Sequence, residues 1–83
     1  MKITVKYFAS IRETIGFGSE SVATSATTLA GLRDELVARG GPHALALARG
    51  KTLRMALNQT MADEATTFSD SAEVAFFPPV TGG

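Results

Sequence analysis

The chain has no cysteine among its 83 residues. This absence excludes a disulfide-stabilised scaffold, a cysteine nucleophile and a thiolate zinc site. If the protein handles sulfur, its own side chains cannot carry it. The C-terminal carboxylate is then the one group that could hold the sulfur atom.

An excess of charge of either sign is also missing, because eight basic residues balance eight acidic ones. No basic stretch is present to bind phosphates, so nucleic-acid binding is not expected. No apolar run approaches the roughly 18 residues that span a bilayer, and the N-terminus has a strand pattern rather than that of a signal peptide. We therefore expect a cytoplasmic protein without a membrane partner.

The sequence contains few groups of residues that could form a catalytic or metal-binding site. His43 is the only histidine, so neither a metal site nor a serine–histidine–aspartate relay is expected. The segment Arg49 to Thr52 resembles the end of a P-loop but lacks the earlier glycine and the preceding strand. A chain this short also has little room for a deep pocket. These observations argue against a self-sufficient enzyme.

Five segments show the period-2 alternation or the short apolar run that is typical of strands. They are residues 2–8, 20–24, 53–57, 60–62 and 73–77. The first two are expected to pair as a hairpin, with residues 9–18 as a connecting segment.

One helix is well defined by its apolar spacing. It begins at Leu29 after the capping residues Thr27 and Thr28, and Gly40 before Gly41 and Pro42 is expected to end it. Its apolar stripe consists of Leu29, Leu32, Leu36 and Val37. Residues 43–48 are expected to add no more than one helical turn over the core.

This order of elements predicts an α+β domain, with a mixed sheet of four to five strands and one main helix across one face. The strand after the helix is expected to return beside the first strand and parallel to it. Such an arrangement is the β-grasp, or ubiquitin-like, fold. We expect it to occupy residues 1–77, with residues 78–83 forming an extended C-terminal tail.

Strand parity predicts an exposed apolar patch. If Val5 and Phe76 face the helix, then Phe8 and Phe77 face away from it, and Met61 can join them. Exposed patches of this kind usually bind a partner. The alternative is that these aromatic residues belong to the core and the parity is misassigned.

The C-terminal segment carries the chemical prediction. Pro78 and Pro79 cannot donate to a sheet ladder, so they stop the last strand and stiffen its exit. Gly82 and Gly83 have no side chains and can pass through a narrow channel. The Gly83 carboxylate becomes reactive once a nucleotide-dependent partner converts it to an acyl-adenylate. That anhydride can accept an amine, a thiol or a persulfide, and delivered sulfide yields a thiocarboxylate.

Four segments carry a likeness to a known family: Val5 to Glu13, Ala44 to Leu47, Met55 to Thr60 and Glu73 to Gly83. The most specific of them is Phe76-Phe77-Pro78-Pro79-Val80-Thr81-Gly82-Gly83. With these segments the chain resembles the small subunit of molybdopterin synthase (the MoaD-type sulfur carriers). One departure is the turn before the last strand, Asp70-Ser71-Ala72-Glu73, where the family commonly has Asp-Gly-Asp-Glu. The missing glycine affects the turn type rather than the tail chemistry.

The resemblance implies a thiocarboxylate at Gly83 that donates sulfur to a pyranopterin precursor, building the molybdopterin dithiolene. It implies three partners: the large synthase subunit, in a heterotetramer, a ubiquitin-activating-enzyme-like adenylyltransferase, and a sulfur donor protein. ATP is used by the activating partner, and the chain itself binds no cofactor or metal.

The resemblance also implies which residues contact these partners. The contact surface matches Phe8, Met61 and Phe77, and the tail matches Pro78, Pro79, Val80, Thr81 and Gly82. Arg12 matches a basic position that helps to dock the activating enzyme.

Three other functions remain open from the sequence. The first is a thiocarboxylate carrier for another pathway, such as the ThiS-like proteins of thiazole synthesis. The second is a ubiquitin-like modifier that forms isopeptide bonds, and the third is a non-reactive ubiquitin-like interaction domain. All would share the fold, and the first two would also share the activated tail.

Overall fold

The computed structural model describes residues 1–79 of the chain. Its elements are β1 (Lys2–Tyr7), α1 (Ala9–Ile15), β2 (Ser19–Ala23), α2 (Leu29–Val37), α3 (Gly41–Leu47), β3 (Arg54–Leu57), β4 (Thr60–Ala62) and β5 (Glu73–Phe77). The predicted tail residues Val80, Thr81, Gly82 and Gly83 lie outside the described range.

The five strands form one mixed sheet in the order β2-β1-β5-β3-β4. Strand β1 is antiparallel to β2 and parallel to β5, and the β5–β3 and β3–β4 pairs are antiparallel. With helices packed on one face, this is the β-grasp fold predicted from the sequence, and that prediction is confirmed.

The expected position of the strand after the main helix is wrong. Strand β3 does not lie beside β1; the last strand, β5, takes that place and separates them. The physical reason is burial, because Val74, Ala75 and Phe76 are all buried in β5. A strand that is apolar on both faces is best accommodated between two neighbours at the centre of a sheet.

The core lies between the sheet and the helices. Tyr7 of β1 and Phe76 of β5 stack there, with ring centroids 6.4 Å apart. Helix α2 contributes three fully buried leucines to this core: Leu29, Leu32 and Leu36. It begins as predicted, and the Thr28 hydroxyl oxygen accepts a hydrogen bond of 3.2 Å from the Gly31 amide.

The segment 9–18 was expected to be a connection, but residues Ala9–Ile15 form helix α1. Ile11 and Ile15, one helical turn apart, bury one side of this helix against the core. Gly16 ends the helix at φ +101°, and its amide donates to the Arg12 carbonyl at 2.8 Å. The strands β1 and β2 still pair as predicted, across a longer connection.

The end of the main helix also differs from the expectation. Helix α2 stops at Val37, and Gly40 caps the start of α3 instead, with φ +74°. Pro42 lies in the first turn of α3, where its missing amide hydrogen has no helical partner to lose. Helix α3 has seven residues, which is longer than the single turn expected.

Candidate functional site

Three residues form an apolar patch on the sheet face opposite the helices: Phe8, Met61 and Phe77. Phe8 is 46% exposed and Met61 is 54% exposed, whereas Phe77 is half-buried. The Phe8 and Phe77 rings meet edge to face, with centroids 6.1 Å apart. The structure therefore places both aromatic residues as strand parity predicts, because the amide of Phe8 continues the β1 ladder to the Phe76 carbonyl.

Two small residues form the floor between the aromatic pair and Met61. Ala75 lies opposite Ala56 across β5 and β3, and Ala56 lies opposite Met61 across β3 and β4. Both alanines are buried without belonging to the core cluster, since they lie on the other face of the sheet. We call these two alanines together with Phe8, Met61 and Phe77 the sheet patch.

Charged side chains flank the sheet patch. Lys6 lies opposite Ala75, and its Nζ is 3.6 Å from the Glu73 Oε1. Arg54 lies opposite Phe77 and is exposed. An apolar centre with a charged rim is the usual composition of a protein-binding surface.

The base of the predicted tail lies directly after the sheet patch. Pro78 and Pro79 are half-buried and follow Phe77 without a break. Pro79 lines two clefts, one of about 250 Å³ toward α1 and one of about 350 Å³ toward β4. Thr52 and Leu53 line both clefts as well, so the segment between α3 and β3 forms a wall shared by them.

Arg12 lies one turn of α1 beyond Phe8. Its amide donates to the Phe8 carbonyl at 3.4 Å, and its exposed side chain lies against Gly18. A Cβ at Gly18 would come within 3.3 Å of the Arg12 Nε, so this glycine permits the close approach. Arg12 is therefore placed near the aromatic end of the sheet patch rather than near Met61.

One group of ionisable side chains was not predicted as a cluster. The Glu20 Oε2 accepts a hydrogen bond from the Tyr7 hydroxyl at 2.6 Å, and the His43 Nε2 lies 2.8 Å from this same oxygen. The other carboxylate oxygen, Oε1, accepts from Arg39 at 2.8 Å. Burial raises the pKa of Glu20, but the three partners outweigh burial and hold the pKa at about 2. Burial and the same carboxylate raise the pKa of Tyr7. His43, the single histidine of the chain, is one member of this cluster.

A second unpredicted feature is the burial of Arg33, which is only 3% exposed. Its guanidinium donates to the backbone carbonyls of Leu47, Ala48 and Lys51 at 2.7, 2.6 and 2.8 Å. The sequence held a signal for it, because position 33 falls on the same helical face as Leu29 and Leu36. A charged residue within an apolar stripe requires buried polar partners.

Residues 1–79 contain no group of three or more histidine, aspartate and glutamate side chains able to hold a metal ion. Over the same range, no helix has the length and apolar character needed to cross a bilayer.

The sheet order and the helices packed on one face define a ubiquitin-like protein of the β-grasp class. Residues 5–83 match the model of the ThiS family. The chain therefore belongs to the ThiS family.

Two curated relatives are similar over almost the whole chain. The molybdopterin synthase sulfur carrier subunit of Escherichia coli (strain K12) is 44% identical over 81 residues, which cover 98% of this chain and 99% of the relative. The protein of the same description from Haemophilus influenzae is 40% identical with the same coverage. The resemblance to molybdopterin synthase sulfur carriers that the sequence predicts is confirmed.

Solved structures agree on the fold. A complex of subunits 1 and 2 of the molybdopterin-converting factor from Helicobacter pylori contains a chain that is 28% identical, with a TM-score of 0.68 and complete coverage of both chains. SAMP1 from Haloferax volcanii has a TM-score of 0.79 with 24% identity, also with complete coverage of both chains. At that lower identity the likeness shows the fold alone.

Proposed function

We propose that this protein is the sulfur-carrier subunit of a molybdopterin synthase and acts in molybdenum cofactor biosynthesis. The observation that carries the proposal is the 44% and 40% identity, over nearly the full chain, to two proteins of that description. The geometry agrees with the proposal, because the sheet patch ends at Phe77 and the tail begins at Pro78. Binding through the patch would bring the tail to the same partner.

The sheet patch is the proposed docking surface for the large synthase subunit. Phe8, Met61 and Phe77 would insert into that partner, with Lys6 and Arg54 at the rim. The Helicobacter pylori relative, which was solved as a complex of subunits 1 and 2, supports a partner of this kind. Arg12 is proposed to contribute to docking of the activating enzyme from the aromatic end of the patch.

The Gly83 carboxylate is the proposed reacting group. An ATP-dependent adenylyltransferase would form the acyl-adenylate and release pyrophosphate. Sulfur at the oxidation level of sulfide, supplied by a donor protein, would then displace AMP, so that a carbon–sulfur bond replaces a carbon–oxygen bond. The resulting thiocarboxylate would transfer its sulfur to a pyranopterin precursor inside the large subunit.

In this function the folded domain, residues 1–77, serves as a handle and residues 78–83 as the tail. The domain contributes no catalytic side chain of its own, and its binding energy positions the tail in the partner's active site. ATP is consumed by the activating partner rather than held by this chain. The cytoplasm, where the precursor and ATP would be available, is the proposed location.

The alternatives are a thiocarboxylate carrier for another pathway and a ubiquitin-like protein modifier. The likeness to SAMP1, a small archaeal modifier protein, extends only to the fold at 24% identity. The higher identity to the sulfur carriers favours the first proposal. Conjugates of higher mass that survive thiol treatment in cell extracts would instead favour a modifier.

The intact mass of the chain tests the proposal most directly. The protein is incubated with the activating enzyme, ATP and a sulfur donor, and a gain equal to the difference between sulfur and oxygen is expected at Gly83. The modified carrier is then mixed with the large subunit and the pyranopterin precursor, and dithiolene product is expected. A chain lacking Gly83 is the control and should form neither. Full product formation by that truncated chain would contradict the proposal.

A further inference from the structure

The buried Arg33 fastens one segment of the chain to helix α2. Five guanidinium hydrogens need acceptors when an arginine is buried, and burial without them is strongly unfavourable. Here the acceptors are backbone carbonyls of residues 47, 48 and 51, which lie at the end of α3 and just after it. One side chain therefore fixes three points of the segment that leads to β3.

A second layer holds the same segment from outside. The Arg33 Nη1 is 3.5 Å from a Glu64 carboxylate oxygen. Arg49, within the segment, contacts the other oxygen of Glu64 and donates to Asp34 at 2.9 Å. We call Arg33, Asp34, Arg49 and Glu64 the arginine clamp. It joins α2, the segment after α3 and the loop after β4.

The clamped segment is the wall beside the base of the tail. Its continuation, Thr52 and Leu53, lines both clefts that flank Pro79. Lys51, whose carbonyl accepts a hydrogen bond from Arg33, lines the cleft toward α1 together with Pro78. Glu64 of the clamp lines the cleft toward β4. The clamp thus holds residues that line the same clefts as the two prolines.

We propose that the arginine clamp is a positioning device that sets the direction in which the chain leaves the sheet at Pro78 and Pro79. This inference rests on the proposed function, in which the residues that follow must reach a partner's active site. Proline fixes φ, so a direction imposed at two successive prolines is carried onward along the chain. Small errors in the placement of a reacting group reduce rates strongly. Arg33 and Arg49 are therefore positioning residues for sulfur transfer.

The test compares variants of the clamp with a matched arginine elsewhere. Arg33→Lys keeps the charge but replaces the two donating nitrogens, Nε and Nη2, by a single ammonium nitrogen. Arg49→Gln removes the exposed ion pairs of Arg49 with Asp34 and Glu64. Arg39→Gln is the control, because Arg39 is also paired with a glutamate but lines neither cleft. If Arg33→Lys does not fold, the comparison is made with Arg49→Gln alone.

Two measurements are made on each full-length carrier at a temperature where all are folded. The first is the single-turnover rate of sulfur transfer in the complex with the large subunit at saturating carrier, together with the Kd for that subunit. Both clamp variants should slow transfer about tenfold, with the Kd changed less than about twofold because the sheet patch is untouched. The control should match the unmodified protein. A normal rate at saturation would overturn the proposal, even if the melting temperature fell.

The second measurement does not depend on sulfur chemistry. The ring-carbon chemical shifts of Pro78 and Pro79 should change in the clamp variants and remain unchanged in Arg39→Gln. Unchanged proline shifts in Arg49→Gln would overturn the positioning role. If the unmodified carrier transferred no sulfur at all, the proposed function would be contradicted, whereas the proline shifts would still decide the role of the clamp.

Discussion

At the scale of single residues, the hairpin between β3 and β4 contains a local conflict. Its two-residue turn is Asn58-Gln59, with φ of +50° and +70°. Positive φ at both positions is the pattern of a type I′ turn, which favours asparagine followed by glycine. Asn58 fits this preference, and its Oδ1 accepts a hydrogen bond of 2.9 Å from the Glu73 amide. Gln59 does not fit, because its Cβ opposes the left-handed conformation.

We therefore expect Gln59→Gly to raise the free energy of unfolding by about 0.5 kcal/mol, since relief of the Cβ clash outweighs the entropy of glycine in the unfolded chain. Urea denaturation at fixed pH measures the change. Asn58→Gly is the control and should bring no gain, because it removes the side-chain bond to Glu73. A lower stability of Gln59→Gly would show that the turn does not strain this position.

The lowered pKa of Glu20 should make the free energy of unfolding depend on pH in the acid range. Its pKa falls from an ordinary value of 4.5 to about 2 in the folded protein. A carboxylate with a lowered pKa stabilises the fold fully above its unfolded pKa, and this contribution is lost as the pH falls toward the folded value. The unfolding free energy of the unmodified protein should therefore decline more steeply between pH 4.5 and 2 than that of Glu20→Gln.

Denaturant titrations at several pH values check this difference. Other carboxylates with lowered pKa values, such as Asp34 and Glu35, contribute equally to both proteins and cancel in the comparison. Glu13→Gln changes an exposed position of α1 outside the cluster and serves as the matched control. Parallel slopes for the unmodified protein and Glu20→Gln would contradict the assignment.

At the scale of elements, the sheet patch presents its aromatic pair from β5 and from the residue that follows β1. Phe77 is half-buried and lies between the Phe8 ring and the start of the tail. Side chains at the centre of an interface contribute most of its binding energy. Phe77→Ala is expected to weaken binding of the large synthase subunit by about 2–4 kcal/mol. Titration calorimetry measures this loss.

Phe17→Ala is the control for the patch prediction. Phe17 is 43% exposed, but it packs edge to face on Tyr7 rather than in the sheet patch. Its removal should leave the affinity for the large subunit unchanged. Equal losses for the two variants would indicate a general effect on the fold, and no loss for Phe77→Ala would place the interface elsewhere.

The elements predicted correctly are those whose patterns are long enough to be read locally. Helix α2 repeats its leucines over two turns, and the parity of β5 follows from simple alternation. Helix α1 was missed because only Ile11 and Ile15 define its apolar side and because nearby glycines indicate a turn. Two turns carry too little periodicity to outweigh that signal.

The functional residues also fall into two groups, those whose placement follows from a local pattern and those whose contacts depend on the tertiary fold. The outward placement of Phe8 and Phe77 could be predicted, since it depends only on the alternation within one strand or its continuation. The hydrogen bonds of Arg33 and Glu20 could not be predicted, because they join residues 13–23 positions apart through the tertiary fold. No local pattern encodes such a pairing, although a charge in an apolar stripe marks Arg33 as unusual.

At the scale of the whole molecule, the proposed function assigns binding to the folded domain and the reaction to the tail. Under that proposal the folded domain would bind the partner and the tail would react, so a substitution at Gly82 should affect the reaction without affecting the fold. Gly82→Val is expected to lower the sulfur-transfer rate at least about tenfold, because a β-branched side chain obstructs a narrow channel and misplaces the terminal group. The melting temperature should stay within a degree or so of the unmodified protein.

Single-turnover kinetics with the large subunit and a thermal melt check both parts of this prediction. Gly82→Ala is the graded control and should have an intermediate rate, since its side chain is a single methyl group. A normal rate for Gly82→Val would show that the partner's channel tolerates side chains at this position.

The central place of β5 has a mechanical consequence. This strand is hydrogen-bonded to β1 on one side and to β3 on the other, and the chain leaves for the tail from its end. A force applied along the tail must therefore act on the hydrogen bonds to β1 and to β3 together, and it cannot break them one at a time from a free edge. In the proposed function, a partner that holds the end of the chain would therefore pull on both neighbours of β5 together, and the carrier is expected to leave that partner still folded.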